Sequence, residues 1–161
     1  TTSPPGKRSI GQSTWKKDMV AIAVAHGIPY VATASPGYLF DLYFKVKKAV
    51  ETPGPAYINI LSVCPTGWRC ATDLSVRLAR LATETAVFPL FEVVDGKYRL
   101  TVEPPKIRPI RDYLKPQGRF RHLRDPEVEF IQKQTLARYK LLLEKCQAPF
   151  PEFAPVHLRE G

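Results

Sequence analysis

Residues 56–70 read AYINILSVCPTGWRC, and this stretch decides the fold class of the chain. Its first eight residues are mostly apolar and include β-branched side chains, which is the composition of a parallel strand buried on both faces. Pro65 and Gly67 then favour a tight turn directly after Cys64. The stretch therefore predicts a buried parallel strand that brings a thiol to the edge of an α/β sheet.

Helix and strand patterns alternate before this strand. Residues 15–27 show apolar positions at helical spacing, residues 28–35 form a short strand pattern, and residues 37–51 form a second amphipathic helix. The predicted apolar face of the second helix consists of Leu39, Leu42, Val46 and Ala49. The alternating order and the short Pro/Gly connections predict an α/β fold with a parallel sheet.

After this strand the chain continues with a further helix pattern and then changes to a pattern of two adjacent strands. Residues 74–85 predict a third helix. Residues 88–102, FPLFEVVDGKYRLTV, alternate around Asp95 and Gly96, which predicts a hairpin. We therefore expect the α/β domain to occupy residues 1–102.

The remaining residues, 103–161, are expected to form an arm, a helix and a tail that pack on partner subunits. Residues 103–126 are punctuated by prolines and rich in Lys and Arg, a composition that favours an extended basic arm on a neighbour's surface. Residues 126–146 place apolar side chains at near-heptad spacing, which predicts a final helix with a docking face. Such a chain seldom closes on itself, so wrapping over another subunit is the economical explanation.

Composition predicts a globular protein domain without membrane contact. Of the 161 residues, 44% are hydrophobic, which is enough for one domain with a core. No apolar run reaches the about 18 residues of a membrane span and no leader pattern indicates secretion, so we expect a cytoplasmic protein. The chain starts with Thr1 rather than Met, and its polar opening predicts a piece of a longer chain or a processed subunit.

Charge and cysteine content narrow the function classes. The formal net charge of +9 implies an acidic partner, which could be nucleic acid, an acidic protein or an anionic cofactor. The three cysteines, Cys64, Cys70 and Cys146, show no CxxC spacing. This argues against a disulfide framework and against a self-contained zinc site.

Cys64 is the candidate site residue. It ends a predicted parallel strand, where open α/β sheets place their ligands. The amides of Thr66 and Gly67 could donate hydrogen bonds to a thiolate or an inorganic sulfide, and Trp68 could shield the site from water. The alternative is that Cys64 is a small buried hydrophobic residue, the common role of a free cysteine. Spacing alone leaves both open.

The basic arm allows a second class of function. Tyr113, Arg119, Phe120 and Arg121 alternate aromatic and cationic side chains, which can stack on bases and contact phosphates. The prolines favour packing on a protein instead, and the arm matches no recognised nucleic-acid-binding motif. A non-enzymatic basic module that binds nucleic acid or an acidic protein is therefore the alternative function.

Four segments together carry a family resemblance that covers nearly the whole chain. Residues 6–38, GKRSIGQSTWKKDMVAIAVAHGIPYVATASPGY, are followed by residues 45–69, KVKKAVETPGPAYINILSVCPTGWR, and residues 87–101, VFPLFEVVDGKYRLT. In this order they resemble the carboxyl-terminal half of the thiamine-diphosphate-binding beta subunit of 2-oxoacid:ferredoxin oxidoreductases, of which pyruvate synthase is the best-known type. Residues 109–123, PIRDYLKPQGRFRHL, are similar to the arm that follows in multi-subunit members.

The resemblance implies a fold, a reaction and a role for Cys64. Residues 1–102 would complete a thiamine-diphosphate-binding α/β domain. The implied reaction is the oxidative decarboxylation of a 2-oxoacid, with pyruvate favoured, in anaerobic metabolism. In most members of the family coenzyme A takes the acyl group, and the resemblance implies that [4Fe–4S] clusters pass the electrons to ferredoxin. By resemblance Cys64 is a [4Fe–4S] ligand, and Thr66 and Gly67 belong to the cluster's environment.

Two features of the family are missing from this sequence. The Gly-Asp-Gly region and downstream Asn that bind Mg²⁺ and the diphosphate are absent, and so are the other cluster cysteines. We expect them before Thr1, so that this chain alone binds neither thiamine diphosphate nor the cluster. The expected partners are the upstream half of the beta subunit, the other oxidoreductase subunits, ferredoxin, the 2-oxoacid and coenzyme A, with no nucleic acid.

Overall fold

The computed structural model describes residues 17–147. Its sheet has four strands in the order β2-β1-β3-β4. They are β1 (Tyr30–Ala34), β2 (Ala56–Ile60), β3 (Leu90–Val94) and β4 (Lys97–Val102). The predicted polar opening, the start of the first predicted helix and the closing tail lie outside the described residues.

Six α-helices accompany the sheet within residues 17–147. They are α1 (Met19–Ala25), α2 (Leu39–Glu51), α3 (Pro65–Trp68), α4 (Ser75–Glu84), α5 (Ile110–Leu114) and α6 (Asp125–Gln147). Two 3₁₀ turns, Thr72–Leu74 and Gly118–Phe120, precede α4 and α6. The predicted α/β class is confirmed, and the final helix predicted at residues 126–146 is present as α6. No helix in this part of the chain is both long and apolar enough to span a membrane.

The sheet is mixed, which corrects the prediction of a parallel sheet. β1 and β2 are parallel, but β3 runs antiparallel to β1 and β4 runs antiparallel to β3. β3 and β4 are joined at Asp95 and Gly96, which both have positive φ, as a tight two-residue turn requires. Local sequence predicts these two strands but not that β3 pairs with β1, because that contact joins residues about 60 positions apart.

β2 is not buried on both faces, which corrects the prediction from its apolar sequence. β1 is its one neighbouring strand in the described sheet, and Ala56 and Ile60 at its ends are exposed. All five residues of β1 are buried, so β1 is the central strand that such a composition indicates. An apolar run indicates that a strand favours burial, but it does not show whether a second neighbouring element of the same chain buries it.

α2 buries a different face from the one predicted. Its most buried residue is Lys45, which is 2% exposed, whereas Leu39 and Val46 of the predicted apolar face are exposed. A band of exposed apolar side chains runs along the helix. It consists of Leu39, Phe40, Tyr43, Phe44, Val46 and Val50.

Two apolar clusters form the core. The first lies on one side of the sheet and contains Val20, Ala23, Val31 and Val93. The second joins α4, α5 and the start of α6, and its buried members are Leu78, Leu81, Ala82, Ile110, Tyr113, Leu114 and Val128. Trp68 and Cys70 pack against the second cluster, so the turn that carries the cysteines rests on it.

The segment predicted as an extended basic arm is not extended throughout. Residues 110–114 form α5, and Ile110, Tyr113 and Leu114 are buried in the second core cluster. Prolines on both sides of α5 limit the length of this helix, while its apolar residues pack on α4 of the same chain. Packing of residues 103–161 on partner subunits stays a prediction.

Candidate functional site

Cys64 lies at the start of a one-turn helix that follows β2. Its φ and ψ of −102° and 101° are extended, and it forms the N-cap of α3. The Sγ atom accepts a hydrogen bond from the Gly67 backbone N–H, with a sulfur–nitrogen distance of 3.4 Å. Cys64 is exposed, so the alternative of a buried apolar cysteine does not describe it. The thiol stands four residues beyond the last residue of β2.

Gly67 allows the backbone to approach this sulfur closely. A Cβ atom at position 67 would lie 3.3 Å from Cys64 Sγ, a tighter contact than side chains normally make. The glycine therefore leaves one flank of the thiol uncovered while its N–H points at the sulfur. The predicted amide donor at position 67 is thus in place.

Thr66 takes a different part in the turn. It is exposed, and its carbonyl oxygen accepts a hydrogen bond from Arg69 N–H at 3.3 Å. Among the hydrogen bonds of residues 17–147, the one to Cys64 Sγ comes from Gly67 rather than from Thr66. A role of Thr66 in a cluster environment therefore stays a prediction.

Backbone hydrogen bonds close the turn behind the thiol. Trp68 N–H donates to the Cys64 carbonyl at 2.8 Å, and Cys70 N–H donates to the Pro65 carbonyl at 3.1 Å. Arg69 adopts the left-handed conformation, with φ of 54°, which ends α3. The chain then reverses, and Cys70 packs half-buried against the second core cluster. Cys64 and Cys70 thus have different surroundings.

Residues 117–120 lie directly against this turn. The Arg119 guanidinium carbon is 4.0 Å from the centroid of the Trp68 ring. Gly118 N–H donates to the Arg69 carbonyl at 2.9 Å. Sequence reasoning treated Arg119 as a candidate for nucleic-acid contact and missed this arrangement, because about 50 residues separate the two segments. No local pattern reports such a contact.

The described residues contain the exposed thiol of Cys64 but no complete metal site. Within residues 17–147 no group of three or more His, Cys, Asp or Glu side chains could hold a metal ion. A [4Fe–4S] cluster takes four cysteine thiolates. Cys64 fits one of these four positions, because it is exposed, its sulfur accepts an N–H hydrogen bond, and Gly67 leaves one side of it free of a side chain. The other ligands would come from elsewhere.

A second polar centre lies between α2 and the β3–β4 hairpin. Lys45 Nζ donates to the Thr33 carbonyl, Asp41 Oδ2 and Thr101 Oγ1, each at 2.7 Å. Burial lowers the pKa of Lys45, while the hydrogen bond to Asp41 opposes that change. The centre borders a cavity of about 410 Å³. Its lining residues are Asp41, Phe44, Lys45, Lys48, Glu92, Arg99 and Thr101.

Glu92 is the anionic hub of this centre. Its carboxylate accepts hydrogen bonds from Lys48 at 2.9 Å, from Arg99 at 2.6 Å and from the Tyr30 hydroxyl at 3.0 Å. Burial acts most strongly and would raise the pKa of Glu92, but these hydrogen bonds together outweigh it and hold the pKa below its usual value. Every buried side-chain nitrogen and oxygen in the described range has a partner. The arrangement thus fastens α2 to the sheet.

Known proteins resemble this chain over most of its length, although no protein-family model matches it. Pyruvate synthase subunit PorB of Methanocaldococcus jannaschii is 48% identical over 142 residues, which cover 88% of this chain and 48% of that subunit. Ketoisovalerate oxidoreductase subunit VorB of Pyrococcus horikoshii is 46% identical over 144 residues, or 88% of this chain and 46% of that subunit.

A further subunit shows the same relation. Pyruvate synthase subunit PorB of Pyrococcus horikoshii is 45% identical over 172 aligned positions, which cover 94% of this chain and 52% of that subunit. The chain spans about half the length of the curated relatives it matches. The predicted family resemblance is therefore confirmed: over most of its length this chain is a homologue of pyruvate synthase and ketoisovalerate oxidoreductase subunits, as expected of a 2-oxoacid:ferredoxin oxidoreductase beta subunit.

Proposed function

We propose that this chain is part of a 2-oxoacid:ferredoxin oxidoreductase that decarboxylates a 2-oxoacid oxidatively, with coenzyme A as acyl acceptor and ferredoxin as electron acceptor. The similarity to oxidoreductase subunits supports the enzyme class. Relatives named for pyruvate and for ketoisovalerate are 48% and 46% identical to the chain. Pyruvate is our first candidate substrate, and a branched-chain 2-oxoacid is the second.

The exposed thiol of Cys64 is the observation that carries this proposal. Its sulfur stands at a helix N-cap, accepts the Gly67 N–H and has one flank free of side-chain cover. Hydrogen bonds to cluster sulfurs and the degree of solvent exposure are two factors that set the reduction potential of an iron–sulfur cluster. We infer that Cys64 supplies one thiolate to a [4Fe–4S] cluster, which when bound would accept and pass on single electrons.

Thiamine diphosphate and Mg²⁺ belong to the proposed enzyme, and we expect their main ligands in sequence beyond this chain. Mg²⁺ prefers carboxylate and carbonyl oxygens in octahedral geometry. Asp41 and Glu92, the two carboxylates at the cavity, are engaged by Lys45, Lys48 and Arg99 and so do not fit that requirement. Residues 1–102 would complete the cofactor domain together with the upstream half of the beta subunit and the other subunits.

The surroundings of the basic segment favour the enzyme over a nucleic-acid-binding module. Tyr113 is 5% exposed in the second core cluster. Arg119 is stacked on Trp68, with Phe120 on the same guanidinium. Side chains engaged in this way are not available to stack on bases. The net charge of +9 then fits an acidic protein such as ferredoxin, since complementary charge accelerates encounter.

A cysteine replacement in the whole purified complex tests the proposal. Cys64→Ser should remove one cluster, seen as a loss of about four iron atoms per copy of the chain and of part of the brown charge-transfer absorbance. Cys70→Ser is the matched control, because this cysteine packs half-buried against the core, and it should retain all of the iron. An unchanged iron content in Cys64→Ser would reject Cys64 as a ligand.

A further inference from the structure

The turn that carries Cys64 is clamped by residues that lie about 50 positions further along the chain. Gly118 N–H donates to the carbonyl of Arg69, the residue that ends α3, at 2.9 Å. A Cβ atom at position 118 would lie 2.8 Å from Arg69 Cβ and 2.9 Å from the Arg69 carbonyl oxygen. Both distances are too short for real side chains, so only glycine permits this approach without a shift of the turn.

Arg119 completes the clamp through its flat guanidinium group. The group lies 4.0 Å from the centroid of the Trp68 ring and 4.6 Å from that of Phe120. Its Nε donates to Gln117 Oε1 at 2.9 Å. Gln117 is fully buried, and its Nε2 donates to the Tyr113 carbonyl at 2.6 Å. The arginine is therefore aligned by a residue that the core holds in place.

A short path connects the guanidinium to Cys64. Trp68 is the last residue of α3, and its backbone N–H donates to the Cys64 carbonyl at 2.8 Å. The Trp68 ring also contacts Tyr113 edge to face, with centroids 6.3 Å apart. The indole is thus held between Arg119 and the core, and the indole's position constrains the backbone that presents the thiol.

We propose that Arg119 is a positioning residue for Cys64: by stacking on Trp68 beside the Gly118–Arg69 contact, it sets the direction in which the thiol meets the cluster. The inference rests on the proposed function, because it assumes that Cys64 binds iron. A planar guanidinium can stack on a ring and donate from Nε at the same time, whereas a lysine ammonium cannot reproduce both contacts. Burial lowers the pKa of Arg119, in keeping with its position inside the clamp.

The test compares variants of position 119 in the assembled complex by electron paramagnetic resonance of the reduced clusters and by redox titration. Arg119→Met removes the charge and the stack, and Arg119→Lys keeps the charge alone. Arg121→Met is the matched control, because Arg121 is exposed and makes no side-chain hydrogen bond or ion pair among residues 17–147. Cys64→Ser in the same series identifies the signal of the cluster that Cys64 binds.

Arg119→Met and Arg119→Lys should both retain iron, and both should alter the spectrum of that cluster. We expect the equilibrium constant for reduction of that cluster to change at least threefold, and a tenfold change corresponds to 59 mV for one electron. Arg121→Met should match the wild type. Wild-type behaviour of Arg119→Lys would show that charge alone matters and would overturn the positioning role.

The remaining outcomes separate this inference from the proposed function. An unchanged spectrum and reduction potential in Arg119→Met would also overturn the positioning role. Failure of both position-119 variants to assemble would overturn it as well, since Arg119 would then be needed for folding. If Cys64→Ser keeps every cluster signal, the proposed ligand itself is wrong. If Cys64→Ser loses the signal while position-119 variants behave as wild type, only the positioning role fails.

Discussion

Replacing Lys45 by methionine tests how α2 is held on the sheet, because it keeps most of the side-chain volume and removes the charge. The ammonium group makes three hydrogen bonds of 2.7 Å, to Thr33, Asp41 and Thr101. Methionine would leave the Asp41 side chain, which is 12% exposed, without its cation. Removing one partner of a buried ion pair costs about 3–5 kcal/mol. Because Asp41 borders the cavity, where solvent compensates in part, we expect about 3 kcal/mol, the lower end of that range.

Hydrogen exchange of the α2 amides in the assembled protein measures this loss as a free energy of local opening. A decrease of about 3 kcal/mol corresponds to about 100-fold faster exchange, since about 1.4 kcal/mol is tenfold. Lys47→Met is the matched control, because Lys47 is 56% exposed and its ion pair with Glu51 is 3.8 Å long. Surface pairs contribute about 0–1 kcal/mol, so the control should change exchange by about fivefold or less. Equal acceleration in the two variants would refute the view that Lys45 fastens the helix.

Two further predictions concern charge. The hydrogen bonds to Glu92 hold the pKa of its carboxylate below the usual value. The stability that Glu92 contributes is therefore fully present above the ordinary pKa of about 4.3, and it is lost as the pH falls through the lower pKa of the folded state. The difference in Tm between wild type and Glu92→Gln should therefore become smaller at acid pH. An equal difference in Tm at pH 7 and at about pH 3 would contradict a lowered pKa of Glu92. If the proposed function is right, the net charge of +9 predicts that the complete enzyme reduces ferredoxin about tenfold more slowly when salt rises from about 0.05 to 0.5 M. A rate insensitive to salt would count against charge steering.

Local features of the sequence predicted the parts of the structure that local physics determines. The β-rich run, Pro65 and Gly67 predicted a strand followed by a tight turn after Cys64, and both are present. β2 ends at Ile60, four residues before Cys64 and so earlier than predicted, and the sequence left open whether Cys64 is exposed. Asp95 and Gly96 placed the turn between β3 and β4 for the same reason, since positive φ is required at both positions.

Contacts between distant residues were not predictable in this way. Lys45 can be buried because acceptors surround its ammonium group, and one of them, Thr101, is 56 residues away. Helical periodicity counts a lysine as exposed and therefore placed Leu39 and Val46 on the buried face instead. Arg119 is a similar case, because its stacking on Trp68 depends on how the 3₁₀ turn Gly118–Phe120 packs on α3.

The exposed aromatic band of α2 affects how this chain can be handled. Phe40, Tyr43 and Phe44 are 83%, 62% and 61% exposed, and they lie close together on one helix. A contiguous apolar surface of this kind promotes aggregation when nothing covers it. Within residues 17–147 β2 is an edge strand of the sheet, which adds to the hazard because unpaired strand edges recruit other chains. Production together with the subunits that the proposed function predicts is therefore the sound route to well-behaved material.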